Sequence, residues 1–298
     1  MIQVRPATLD DAAAWAAVVA AASPTLVVDA ASERHEMAHD PEGTTRLVAE
    51  VGGRVMGVAA LRPHGEQADV DVWTDPATRR RGVGGELLRR LESRFAGLGT
   101  ARATTVVEDD DDSGAFAQRR GYRLTRRLQK VALDPRTVAA PGPTPEGVEV
   151  RPVADVGPRA IWALHQQVAA DDPSGLTRPQ PYDEWRAGWD DPRARPDLGR
   201  VAVVDGEPVA YTLLGAAGTR AWSDMTGTLP SYRGRGLSLV LKQHALRAAA
   251  AAGIETAFTG NDQENLPMVA VNRRLGYRLV AEPALAERDL RATGRGPA

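Results

Sequence analysis

The chain has 298 residues, a net charge of −2 and a hydrophobic fraction of 43%, which suits two globular domains and offers no basic field for wrapping nucleic acid. It has no cysteine, so disulfide frameworks, thiolate zinc sites and a cysteine nucleophile are excluded and a reducing, cytoplasmic setting is expected. No run reaches the roughly 18 to 20 apolar residues of a membrane span, so no membrane partner is expected either.

In chain order, a short strand carrying VRP at 4–6 leads into an apolar run, AAAWAAVVAAA, at 12–22. Asp10 and Asp11 abut that run, and Thr8 with Asp11 forms a Thr-x-x-Asp cap, so it reads as the first helix of a domain and not as a leader. A second helix near 30–39 contains HEMAH at 35–39, a match to the His-Glu-x-x-His zinc pattern. Asp40-Pro41-Glu42-Gly43 stops that helix at the second histidine, and no third ligand follows at a familiar spacing, so no metal site is expected. A hairpin around Gly52-Gly53, a strand at 67–74, a glycine turn, a helix at 83–97 and a strand at 102–107 follow. The acidic run EDDDD at 108–112 reads as a solvated loop. A short helix and terminal strands close the unit.

The same order then returns. VRPAT at 4–8 recurs as VRPVA at 150–154, RLVAEVGGRVMG at 46–57 as RVAVVDGEPVAY at 200–211, DPATRRRGVG at 75–84 as LPSYRGRGLS at 229–238, and RRGYRL at 119–124 as RLGYRL at 274–279. Similarities in one order at nearly constant spacing indicate two copies of one domain. The second copy reads as helices at 158–170 and 181–190, a hairpin around DGE at 205–207, a strand at 219–228, a helix at 236–252 and a strand at 254–259. A Pro/Gly-rich stretch at 136–147 reads as a linker, separating an N-terminal domain, 1–135, from a C-terminal domain, 148–298. Strands interleaved with helices argue for an α/β (α+β) fold in which each domain is a mixed central sheet flanked by helices.

A strand, an Arg-x-x-Gly turn and a helix together make an anion site. The first amides of the helix have no intrahelical acceptor, the dipole adds positive charge, and glycine lets a phosphate approach the backbone. Arg79, Arg81, Gly82 and Gly84 form the first such turn, and Arg233, Gly234, Arg235, Gly236, Leu237 and Ser238 the second. Neither has the Gly-Lys-Ser/Thr of a Walker loop, and both follow the fourth strand, where a Rossmann turn would follow the first.

The two turns, their place after the fourth strand and the closing RRGYRL and RLGYRL segments resemble the GNAT acyltransferase family over nearly the whole chain. The resemblance implies acetyl-CoA as co-substrate, with its pyrophosphate on the glycine turn and its pantetheine arm between splayed fourth and fifth strands. It puts pantetheine and oxyanion contacts at Thr226 and Thr228 and a further contact at Asn265, which is also a suitable helix cap. The implied activity is N-acetylation of a small-molecule primary amine by direct transfer from the thioester, an amine-bearing antibiotic being one candidate class of acceptor. The alternative is a catalytically silent CoA-binding sensor or scaffold.

Removing a proton from an alkylammonium near neutral pH calls for a carboxylate. Asp224 precedes the second turn, and strand alternation puts it on the same face as Thr226. Asn272 lies two helical turns beyond Asn265, at the position where many relatives carry the tyrosine that protonates the thiolate. Asparagine cannot act as an acid at pH 7, so the catalytic part expected of Asn272 is a hydrogen bond to the sulfur, with water or a tyrosine such as Tyr182 supplying the proton. The repeat offset pairs these residues with Val70, Asp110 and Ala117 in the N-terminal copy, which therefore reads as degenerate and chiefly structural. Trp185 and Trp189 fit either a core stripe or an acceptor wall, and Asp171 and Asp172 suit a cationic acceptor.

Overall fold

The first helix begins as its sequence requires. The Thr8 amide donates to Asp11 Oδ2 at 2.8 Å, and Arg5 clamps the same carboxylate through contacts of 2.7 and 2.8 Å. The computed structural model describes residues 1–171 and 177–290, apart from the side chains of 96–98. The chain forms two units, one of Met1–Leu128 with the C-terminal residues from Ala281, the other of Gln129–Val280.

The first unit contains β1 (Ile2–Pro6), α1 (Ala12–Ala22), α2 (Ala30–Ala38), β2 (Thr45–Val51), β3 (Arg54–His64), β4 (Gln67–Thr74), α3 (Val83–Leu98), β5 (Arg102–Val107), α4 (Asp111–Arg119) and the start of β6 (Arg123–Leu133). Strand alternation builds its layers. Val48, Val58 and Ala60 face α1 through Trp15, Val18 and Val19. Leu47, Ala49, Ala59 and Leu61 face α3, whose Val83, Leu87, Leu88 and Leu91 form one apolar stripe. Burying side chains of this size stabilises by about 1.5–3 kcal/mol each.

The second unit repeats the plan with β7 (Glu149–Pro152), α5 (Val153–Val156), α6 (Pro158–Ala169), α7 (Tyr182–Trp189), β8 (Arg200–Val204), β9 (Glu207–Ala217), β10 (Arg220–Thr228), α8 (Leu237–Ala251), β11 (Thr256–Asp262) and α9 (Leu266–Leu275). Tyr211 of β9 points to the α6 side with Ile161 and Leu164, while its neighbour Ala210 meets Leu237 and Leu241 of α8.

β12 (Arg278–Ala281) and β13 (Ala284–Asp289) follow, and here the units depart from the boundaries expected at 135 and 148. β13 pairs antiparallel with β5, Ala284 opposite Val107 through Asp289 opposite Arg102, and places Ala286 in the core of the first unit. The second half of β6 belongs to the second unit, where Val131 and Leu133 pack with Leu246, Ala257 and Leu275. The cause is hydrogen bonding: a fifth strand with an open edge needs a partner, and backbone continuity does not dictate which repeat supplies it.

In both units the fourth and fifth strands are parallel for three residue pairs and then part. β4 and β5 pair from Gln67/Arg102 to Asp69/Thr104, and β10 and β11 from Arg220/Thr256 to Trp222/Phe258. The two copies differ in one residue. β4 pairs with β3 without interruption from His64/Gln67 to Gly57/Thr74, whereas β10 carries a bulge against β9, its register shifting between Ser223/Leu214 and Thr226/Thr212.

Two outcomes test this arrangement. Ending the chain at Glu282 removes β13, and amide exchange in β5 should speed by about a hundredfold or more while β8 and β9 stay protected. Gly227→Ala places a Cβ 2.1 Å from Cγ1 and 3.1 Å from Cβ of Val168, a stiff side chain that cannot swing away. Urea unfolding should show a loss of about 1–3 kcal/mol.

Candidate active site

The two glycine turns share one backbone path. Arg79 and Arg233 are extended, with φ/ψ of −54/152 and −64/158. Arg80 and Gly234 follow in the left-handed region at φ 65 and 77, and Gly82 and Gly236 cap the helices at φ 87 and 77. Glycine suits those left-handed positions because a Cβ there is strained, and Arg80 accepts that strain where the second copy has Gly234. The first backbone bonds of α8 run from the Leu239 and Val240 amides to Gly236 O, leaving the amides of Leu237 and Ser238 to the mouth of the turn.

The arginines are engaged differently. Arg79 Nη1 lies 3.5 Å from Asp110 Oδ2, and Arg80 Nη1 lies 2.7 Å from Asp112 Oδ1. The acidic run read as a solvated loop thus neutralises the first turn, and Asp110 also caps α4 by accepting from the Ser113 amide at 2.8 Å. In the second unit Arg233 reaches Thr228 O at 3.2 Å and Asp171 at 3.4 Å. Arg235 stacks over Tyr232 at 4.8 Å and donates to Ser231 O at 3.2 Å. Thr228 and Ser238 join strand to helix, their hydroxyls 3.2 Å apart.

Beyond each turn the parting strands open a wedge. In the first unit it holds a cavity of about 450 Å³ whose walls include Val70, Val72, Leu88, Phe116, Ala117 and Tyr122, with the glycine turn at its mouth. In the second unit the corresponding wall is polar. Ser223 and Thr226 face the α8 side, Thr226 Oγ1 lying 2.7 Å from Thr212 Oγ1. Asn272 is 3% exposed, donates to Asn261 Oδ1 at 3.0 Å and has no partner for its own Oδ1. Asn265 caps α9 by accepting from the Met268 amide at 3.3 Å, the same office as Asp110.

The bulge revises two expectations. It adds a residue to β10, so alternation does not place Asp224 and Thr226 on one face: Met225 packs toward α6 and Thr226 toward α8. It also shifts the correspondence between copies. The strand pairs Ala68/Ala103 and Ala221/Ala257 match, so Val70 corresponds to Ser223, and the counterpart of the bulged Asp224 and Met225 is Asp71. The first copy therefore retains a carboxylate, held by Arg62 at 2.6 Å. Asp224 itself is exposed to solvent. Desolvation raises its pKa above the ordinary carboxylate value, against the opposing pull of the Met225 amide and Arg193.

Other expected positions fall elsewhere. Tyr182 packs edge-on to Trp162 and under Arg159, on the α6 face of the sheet, across from Asn272. Trp185 is a core residue beside Trp189, at 5.5 Å. Asp172 lies outside the described residues. His39 ends α2, its Nδ1 2.8 Å from His35 O, and no group of three or more metal-binding side chains converges among the described residues.

One residue had no place in the sequence reading. Lys242 sits in the buried stripe of α8 among Leu237, Leu241, Ala245 and Leu246, 1% exposed. Burial pulls its pKa from 10.5 down to about 7, and its Nζ lies 5.5 Å from the Tyr277 ring centre. The signal was available, since a lysine stands where the helical period demands an apolar residue.

Comparison with known proteins matches each copy separately. Residues 15–122 match the acetyltransferase (GNAT) family and residues 146–264 the acetyltransferase (GNAT) domain. Mycothiol acetyltransferases of Clavibacter michiganensis and Actinosynnema mirum are 28% and 27% identical to the chain, over 80% and 79% of it and 78% and 80% of their own lengths. A tandem GNAT protein from the clavulanic acid biosynthesis pathway superimposes with a TM-score of 0.76 over 100% of both chains at 20% identity. An N-acetyltransferase from Sphaerobacter thermophilus gives 0.71 over 97% of this chain and 95% of its own, also at 20% identity. Two family matches in tandem, each on a unit with the glycine turn and the parting strands, make this chain a tandem-domain GNAT acetyltransferase.

Proposed function

We propose that the second unit transfers an acetyl group from acetyl-CoA to a small-molecule primary amine and that the first unit is chiefly structural. The observation that carries this reading is the contrast between the wedges. At matching positions the second unit has Ser223, Thr226 and Asn272 where the first has Val70, Val72 and Ala117, and Asp224 sits at a bulge that the first unit lacks.

Each residue then has a task. The helix-mouth amides of Leu237 and Ser238, with Arg233 and Arg235, suit a diphosphate. Beyond Trp222 the β11 side of β10 has no strand partner, so its backbone groups suit an extended amide chain laid between the strands, as a third strand would be. Asp224, its pKa raised above the ordinary carboxylate value by desolvation, suits removal of the proton from an incoming ammonium. Amides beside the bulge suit an oxyanion. The chemistry needs a bound thioester and a neutral amine held in contact, and no covalent enzyme intermediate.

The pairing of Arg79 and Arg80 with Asp110 and Asp112 favours a weaker anion site in the first unit. It also supports the second reading, a CoA-binding sensor, if the second wedge proves silent. The acceptor of the mycothiol acetyltransferases is the first amine to try, followed by polyamines and aminoglycosides, for which the exposed Asp171 is a suitable neighbour.

Released thiol is the readout. Gly236→Val, at φ 77, should raise KM for acetyl-CoA at least about tenfold, and Gly82→Val should cost less than about threefold. Asp224→Asn should lower kcat by about a hundredfold or more. In the wild type kcat/KM should rise with pH through a pKa above the ordinary carboxylate value, because the base acts only when deprotonated; that rise should be absent in Asp224→Asn. Absence of thiol release with every amine, alongside calorimetric binding of coenzyme A, would establish the sensor instead.

A further inference from the structure

The repeat itself shows where Lys242 points. Lys242 is the sixth residue of α8 and Leu88 the sixth of α3. Tyr277 and Tyr122 share a further landmark, since each donates its amide at 3.1 Å to the carbonyl five residues earlier, Asn272 O and Ala117 O. Ser223 corresponds to Val70 through the strand register. Val70, Leu88, Ala117 and Tyr122 all line the wedge cavity of the first unit. The second unit thus has Ser223, Lys242, Asn272 and Tyr277 where the first has a largely apolar wall.

These four groups are underused by the fold. Ser223 Oγ and Tyr277 OH face one another without closing a hydrogen bond, and Asn272 Oδ1 also lacks a partner. Tyr277 is the titratable group facing Lys242, and no charged group of the packed elements contributes to the lysine's lowered pKa, which comes from desolvation. A core that needed only volume would be better served by leucine, as at Leu88.

Resting on the assignment of acetyl transfer to the second unit, we infer that the Lys242 ammonium, flanked by Tyr277, supplies the proton taken up by the leaving thiolate. The balance is simple. The amine nitrogen bonds to the acetyl carbon, the carbon–sulfur bond breaks, and the sulfur takes a proton from Nζ. The incoming ammonium gives one proton to Asp224 before attack and the nitrogen sheds a second to solvent as the intermediate collapses; Asp224 returns its proton to solvent, and neutral Lys242 regains one from solvent before the next turnover. An acid with a pKa of about 7 is well matched to this step at neutral pH, and Asn272 in the tyrosine position cannot perform it. Asn272 acts as a positioning residue through its bond to Asn261.

The test is the pH profile of kcat in the full chain with Lys242→Met, which keeps length and removes charge. The wild type should lose kcat as pH rises through about 7, because the acid must be protonated. Lys242→Met should lower kcat at least about tenfold at neutral pH, leave KM for acetyl-CoA within about twofold, and show no descending limb. Tyr277→Phe should give a smaller loss with the limb retained. Thermal melts report folding with a known sign. Between the folded pKa of about 7 and the ordinary 10.5 only the unfolded chain holds this proton, so wild-type stability gains a rising component with pH that Lys242→Met should lack. A folded Lys242→Met enzyme with wild-type kcat and an intact descending limb overturns the inference and leaves the second unit's activity standing. If Gly236→Val and Asp224→Asn leave turnover unchanged, the assignment to the second unit falls and this inference falls with it.

Discussion

Two parallel strands that stop pairing before they end leave backbone donors and acceptors without a strand partner, of which side chains satisfy only some, as Thr259 Oγ1 does for Ser223 O at 2.8 Å. In this protein that happens after Asp69/Thr104 and again after Trp222/Phe258. The gap opens toward the glycine turn and a helix whose first amides lack intrahelical acceptors. Everything proposed for the site follows from that alignment. An extended chain of amides ending in a diphosphate fits the two sets of unsatisfied groups together, and neither set would define so specific a ligand by itself.

The two units keep this frame and change its chemistry. Their turns match residue by residue in dihedral angle, down to an arginine at φ 65 standing where the other copy has a glycine at φ 77. A backbone so closely retained shows that the turn geometry is a requirement of the strand-to-helix passage as well as of any anion. The divergence lies in side chains around it. Carboxylates of the acidic run occupy the arginines of the first turn, while the wall of the second wedge becomes polar and its fourth strand gains a bulge. That bulge matters because one inserted residue redirects the strand's facing and frees backbone groups beside Asp224.

What could be read from the sequence was local. The Thr8/Asp11 cap, the helices bounded by Gly82 and Gly236, the cap at Asn265 and the repeat itself are set by residues close together in the chain, and each lies where the pattern put it, whereas the cap at Asp110 was hidden in a run that read as a solvated loop. What could not be read depends on distant partners. No residue near 223–226 announces a bulge, because a bulge is a mismatch with β9. Nothing in 284–289 says that β5 is its neighbour, because an antiparallel edge accepts any strand of suitable register. The correspondence of Asp224 with Val70 failed for the same reason, since constant spacing assumes that neither copy has gained a residue between landmarks.

Lys242 is a different case, visible in sequence but costly in structure. Holding its pKa at about 7 instead of 10.5 corresponds to a desolvation cost on the order of 5 kcal/mol when the group is protonated, large against the roughly 5–15 kcal/mol by which a whole domain is stable. The same helix position in the first unit holds Leu88, fully buried against the same kind of sheet, so the fold accepts an apolar residue there. Cavity filling therefore does not account for the lysine, and among the described residues no ion pair repays its burial. A group this expensive and this replaceable is better explained by what its proton can do in the wedge than by how its stem packs.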